Sequence, residues 1–138
     1  MKLKELMHHQ PAYVRPDTPL WRVAREMKER QVEFLPVVDR GVPVGSVTIR
    51  DLALAIALEE KCPYATRVSE IMTESAVAIE QHAEVEEAAV VMRQRRLRRL
   101  VVTDEHHILR GVVSVHDVEK AERKPRRVDA PTHSAVLI

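Results

Sequence analysis

Two short constellations in this 138-residue chain set a hydroxyl and a carboxylate at a fixed spacing, Thr48-x-x-Asp51 and Ser114-x-x-Asp117. In both, the hydroxyl residue ends a glycine-led, β-branched run and the acid stands three residues on. One job for such a pair is internal: a capping box ties off orphan N–H groups at a helix start. The other is ligand recognition. A carboxylate accepts hydrogen bonds from two vicinal hydroxyls, such as those of a ribose, and a short hydroxyl side chain complements it. The two roles are compatible, and a pattern repeated at equivalent places weighs toward the second.

The densest charge feature is Arg93-Gln-Arg95-Arg96-Leu-Arg98-Arg99. Most of a basic run on a helix is solvated face, which is the expectation for Arg93 and Arg96. Arg98 and Arg99 differ because they immediately precede a buried strand, where direction is fixed, and guanidinium forks suit phosphate oxygens. Arg50 and His116, inside the two hydroxyl–acid motifs, are lesser phosphate candidates. The pairs His8-His9 and His106-His107 read as loop residues, since neighbours on an extended segment point opposite ways. No catalytic triad, P-loop or dinucleotide fingerprint appears, and three glycines leave no glycine-rich phosphate cradle. The expectation is no catalysis, no metal site and no required cofactor.

The elements that position these residues repeat. Leu20, Val23, Ala24 and Met27 fall on one face of a helix, and Val85, Ala88, Ala89 and Met92 fall on the same phases 65 residues later. Leu35-Pro-Val-Val-Asp39 then answers to Leu100-Val-Val-Thr-Asp104. Gly45 to Asp51 answers to Gly111 to Asp117 at an offset of 66, one loop residue longer. Each copy predicts a short extended stretch (12–14; 77–79), an amphipathic helix, two strands (35–38 and 44–48; 100–103 and 110–114) and a second helix (51–61; 117–124). Thr18 is the expected N-cap of the first helix, with Pro19 at its first turn. By sequence, motif 1 takes 1–62, motif 2 takes 63–124, and 125–138 reads as a flexible tail or an interaction arm. Neither half covers its own sheet, so the expected α/β (α+β) unit is a pseudo-twofold pair of βαββα motifs, with sheets back to back and helices outside.

Composition narrows the function. Hydrophobic residues make up 45% and charged residues 31%, which suits one globular domain. Aromatics at 3% argue against a base-stacking surface for single-stranded nucleic acid. The net charge of +1 supplies no bulk attraction to nucleic acid or membrane, and the lone Cys62 cannot form an intramolecular disulfide. The longest apolar run, Leu52 to Leu58, is far short of a membrane span, and the first residues lack a signal-peptide core. A cytoplasmic location is expected.

Taken together, Met7…Leu20…Met27…Leu35-Pro-Val-Val-Asp39…Val44 to Asp51, and Ser69-Glu-Ile-Met-Thr73…Val77…Val85…Met92…Leu100 to Asp104…Gly111 to Asp117, resemble the CBS motif. The resemblance covers about residues 3 to 122. It implies a CBS pair (Bateman module), a class that commonly dimerises into a disc and binds adenosine compounds in clefts between motifs. It implies that Thr48 with Asp51, and Ser114 with Asp117, hold ribose, and that the segments around Ala12 and Val77, with Val37 and Val102, flank the base. The segment Arg98 to Asp104 is similar to the family strand of the AMP-activated protein kinase regulatory subunit, where a basic pair contacts phosphate. The first copy has Glu33-Phe34 there, so the two sites are electrostatically unequal. The expected function is a regulatory sensor of an adenine nucleotide of the AMP, ADP or ATP kind (NAD, S-adenosylmethionine or a dinucleotide second messenger fit the same residues), acting as a homodimer and passing occupancy to an unidentified protein partner or to its own dimer interface. Two alternatives stand beside it: an interaction module with empty clefts, and a nucleic-acid binder working through Arg93 to Arg99 and the tail arginines.

Overall fold

The computed structural model describes residues 1–74 and 77–123. Among the described residues the chain forms two compact units, one within Pro11–Val77 with His107–Leu109, the other of Met1–Gln10, Ala78–His106 and residues 110–123. The sequence repeat therefore divides at Cys62/Pro63, while the spatial units divide at Gln10/Pro11 and Val77/Ala78. The expected tail, 125–138, lies outside the described residues.

In the first unit the amphipathic helix α2 (Leu20–Arg30; α1 is the short helix Leu3–Leu6) buries Leu20, Val23 and Met27, the stripe its spacing predicts. It packs with strands β2 (Phe34–Asp39) and β3 (Val42–Thr48) into a core that includes Val14, Leu35, Val37, Val47, Leu52, Ala55 and Val68. β2 and β3 are antiparallel, and Val14 makes a single parallel bridge to Val37. Helix α3 (Ile49–Ala53) widens into a π-helical turn at Leu54–Leu58. It stops short of the predicted Lys61 because Glu60 turns left-handed at φ 58° ahead of Pro63. The N-cap of α2 is also corrected. Pro19 occupies that position in an extended conformation, and Thr18 Oγ1 instead accepts from the Arg15 N–H at 3.1 Å. A proline has no side-chain acceptor, so the first free N–H groups of the helix find carbonyls elsewhere: Leu20 donates to Thr66 and Trp21 to Pro63, both at 3.1 Å.

In the second unit the sheet order is β1-β7-β6-β5, with β1 (His8–His9), β5 (Ala78–Glu80), β6 (Arg99–Thr103) and β7 (Leu109–Ser114). Helices α4 (Val85–Arg95) and α5 (Val115–Arg123) complete it, α4 burying Val85, Ala88, Ala89 and Met92. The Val85 N–H at the head of α4 donates to the Met1 carbonyl at 2.9 Å, the counterpart of Leu20 on Thr66.

The opening segments of the two repeats are thus exchanged. His9 pairs with Gly111 on β7, and Glu74 of strand β4 (Thr73–Glu74) pairs with Gly45 on β3. Each glycine lets a methionine pass. A Cβ on Gly111 would lie 2.5 Å from Met7 Sδ, and one on Gly45 would lie 2.6 Å from Met72 Sδ.

Candidate functional site

Thr48 ends β3 in an extended conformation and caps α3. The cap is reciprocal, with the Asp51 N–H donating to Thr48 Oγ1 at 3.1 Å and the Thr48 N–H donating to Asp51 Oδ2 at 2.9 Å. Phe34 lies opposite Thr48 in the ladder, and the Ile49 N–H donates to the Glu33 carbonyl at 2.9 Å. The head of the helix is therefore fastened to the residues that precede β2. Arg50 is exposed and Asp51 half-buried.

The second unit repeats this plan with different chemistry around it. The Asp117 N–H donates to Ser114 Oγ at 3.1 Å, and the Val115 N–H donates to the Arg98 carbonyl at 2.8 Å, the counterpart of Ile49 on Glu33. Arg98, Arg99, Ser114 and Asp117 therefore share one neighbourhood. Arg98 is exposed, while Arg99 folds back so that Nη1 donates to the Arg98 carbonyl at 3.1 Å. His116 is exposed. The Asp117 carboxylate differs from that of Asp51, because its Oδ2 meets Nε2 of His8 at 3.0 Å. His8, read from sequence as a loop residue, stands on β1 beside a candidate ribose acceptor. The signal that would have found it is the alignment of Met7-His8-His9 with Met72-Thr73-Glu74, once the exchange is known.

Ala12 and Val77 are half-buried. Val37 and Val102 are each 0% exposed, so their side chains belong to the core, and only main chain remains for a ligand at those positions.

The basic run has a structural account. Arg93 and Arg95 occupy the last turn of α4, where cations complement the helix dipole, and Arg96 closes the helix in a left-handed conformation. The His8-His9 pair stands on a strand and splits there, His9 Nε2 lying 3.1 Å from the Lys4 carbonyl and away from Asp117, whereas His106 and His107 stay in the turn before β7. Among the described residues, Glu80, His82 and Glu105 bring metal-competent atoms within 4.8 Å of one another. Two of the three already satisfy each other, Glu80 Oε1 lying 2.7 Å from His82 Nδ1. The His82 main-chain and side-chain hydrogen bonds hold the Glu80 carboxyl below its ordinary range.

The family model for the CBS domain matches twice, over residues 3–58 and 68–124. The CBS domain-containing protein YhcV of Bacillus subtilis is 33% identical over 116 residues, covering 84% of this chain and 81% of YhcV. The inosine-5'-monophosphate dehydrogenase of Methanocaldococcus jannaschii is 31% identical over 114 residues, and the match spans 82% of this chain and 22% of that enzyme. The crystal structure of CBSX2 from Arabidopsis thaliana in complex with AMP superposes with a TM-score of 0.76 at 27% identity, covering 87% of this chain and 94% of that one. None of the described helices is long and apolar enough to cross a membrane. Two matches to one family model, on two sequence repeats carrying the same hydroxyl–acid helix start, mean that this chain belongs to the CBS-domain family as a tandem pair of CBS motifs.

Proposed function

We propose that this chain is a regulatory sensor that binds adenosine-containing nucleotides at Thr48–Asp51 and Ser114–Asp117, without catalysing a reaction. The observation that carries the reading is the duplicated hydroxyl–acid helix start, together with the Val115–Arg98 hydrogen bond that sets two guanidinium-bearing residues beside the second copy. The AMP complex of CBSX2 supports adenine as the base. Arg98 and Arg99 take phosphate, with Arg50 and His116 as further contacts, and Ala12 and Val77 flank the base with the main chain of Val37 and Val102.

Occupancy signals by favouring one conformation or assembly over another. The surface for this is the second face of the α3 region. Leu52 and Ala55 face the core, whereas Ile49, Leu54, Ile56 and Leu58 stay exposed, Leu58 at 73%. A second copy of this chain covers that face, and a regulated protein partner reads the result. Light scattering should report a dimer at tens of micromolar, and a monomer with and without nucleotide would refute that assembly.

The test of the ligand is a thermal-shift panel with mass spectrometry of co-purifying small molecules. Adenine nucleotides should stabilise the protein by about 2.7 kcal/mol near one hundred times Kd. Inosine and pyrimidine analogues should do less. If no adenine compound responds at millimolar concentration, the interaction-module reading replaces this one, supported by the same exposed apolar face.

A further inference from the structure

A cavity of about 350 Å³ opens in the first unit between Tyr13, Arg15, Val38, Asp39, Arg40 and Gly41. It lies at the opposite end of the β2–β3 hairpin from Thr48, because Phe34 pairs with Thr48 whereas Asp39 pairs with Val42. Five residue steps of strand separate the two ends, roughly 17 Å. A nucleotide held by Asp51 does not account for this pocket.

Three observations mark it as a site. Among the described residues, no hydrogen bond or ion pair engages the guanidinium of Arg15 or Arg40 or the carboxylate of Asp39. Arg40 has φ 53° and Gly41 φ 86°, the two left-handed positions of a tight hairpin turn. Asn, Asp or Gly adopts the first of these at lower cost than arginine, and backbone outliers kept against local preference cluster at functional positions. The second repeat also lacks the arrangement. There the residue aligned with Asp39 is Asp104, buried and bonded to Arg110 Nε at 2.8 Å, and Glu105 replaces Arg40. This set of side chains belongs to the first copy.

We infer that this pocket binds a small phosphate monoester carrying a hydroxyl or amino group. Two guanidinium forks match a phosphate dianion. Asp39 accepts a hydrogen bond from the ligand's hydroxyl or amine, and disfavours an anion that offers none. The Tyr13 ring, 48% exposed, forms a flat wall with a phenolic donor. The volume is at the small end of metabolite pockets.

Glycerol phosphate and inorganic phosphate are the probes, followed by amide and arginine-side-chain NMR shifts of the whole chain. Glycerol phosphate should shift Tyr13, Arg15, Arg40 and Gly41, and inorganic phosphate should bind more weakly. Arg40→Asn keeps the turn, so it should fold at least as stably as the parent while losing about tenfold or more in affinity, as should Arg15→Gln. Asp39→Asn should narrow the preference for the ester over inorganic phosphate, and Asp51→Ala, whatever it costs the adenosine site, should leave the glycerol phosphate shifts in place. No shift with either probe at millimolar concentration overturns the proposal, as does unchanged affinity in Arg40→Asn. Shifts abolished by Asp51→Ala would overturn it too, by assigning the ligand to the adenosine site.

Discussion

Nε2 of His8 lies 3.0 Å from Oδ2 of Asp117, joining residues 109 apart in the chain. A ribose that engages both carboxylate oxygens must displace this imidazole. An exposed pair of this kind contributes at most about 1 kcal/mol, so His8→Ala should tighten adenosine binding at the second motif up to about fivefold. Calorimetry in an Asp51→Ala background reads this site alone. Unchanged or weaker binding would remove His8 as a competitor.

Asp51→Ala and Asp117→Ala should each weaken their own site about tenfold or more, because hydrogen bonds to a charged acceptor contribute roughly 1.5–3 kcal/mol. Their stabilities should differ. Asp51 Oδ2 accepts a hydrogen bond from the Thr48 N–H, so its loss should cost about 1 kcal/mol of folding free energy. The Asp117 carboxylate is spent on an exposed imidazole, and its removal should cost less. Chemical denaturation of both variants decides the ordering.

Arg98→Ala and Arg99→Ala should hurt AMP and ATP binding far more than adenosine binding. Nothing at Glu33 and Phe34 offers a comparable phosphate partner, so nucleotide preference should follow the second motif. Equal losses for adenosine and AMP would make the arginines structural.

The glycines on β3 and β7 should resist enlargement. In Gly111→Ala the new methyl would lie 2.5 Å from Met7 Sδ and 2.9 Å from the His8 carbonyl. In Gly45→Ala it would lie 2.6 Å from Met72 Sδ and 2.9 Å from the Thr73 carbonyl. Each should lose about 1–3 kcal/mol by overpacking. Trimming the methionine to alanine in the same chain should restore only part of this, since the carbonyl remains. Thermal melts of the single and double variants test it.

The segment before β1 should respond to pH. Lys2 Nζ lies 2.8 Å from Glu84 Oε1. That hydrogen bond, chiefly, holds the Glu84 carboxyl below its ordinary range and raises the Lys2 ammonium. A depressed acid stabilises the fold above its unfolded pKa and loses that contribution as pH falls through its folded value. The raised amine loses its share only as pH climbs through its own folded value, in strong alkali. Glu84→Gln should therefore lower amide protection of residues 3–7 at neutral pH and leave it unchanged below the carboxylate range. A difference that persists in acid would show that the clamp is not electrostatic.

The repeat, the two amphipathic helices and the four principal strands were legible in the sequence because each depends on local spacing. Leu20, Val23 and Met27 sit one helical turn apart, and Leu35 to Val38 is an apolar run that ends at the turn residues Asp39 to Gly41. The hydroxyl–acid pairs were legible for the same reason, as a cap closes within three residues. The CBS resemblance could be read from these local signals alone. Tertiary structure decided what no window contains. It exchanged the opening segments, seating Met7 on Gly111 and Met72 on Gly45. It capped α2 with the carbonyls of Pro63 and Thr66 instead of the side chain of Thr18. It also withdrew Val37 and Val102 into the core and brought His8 to Asp117. These outcomes turn on pairing between distant segments, where a backbone N–H takes whichever carbonyl the packed chain presents.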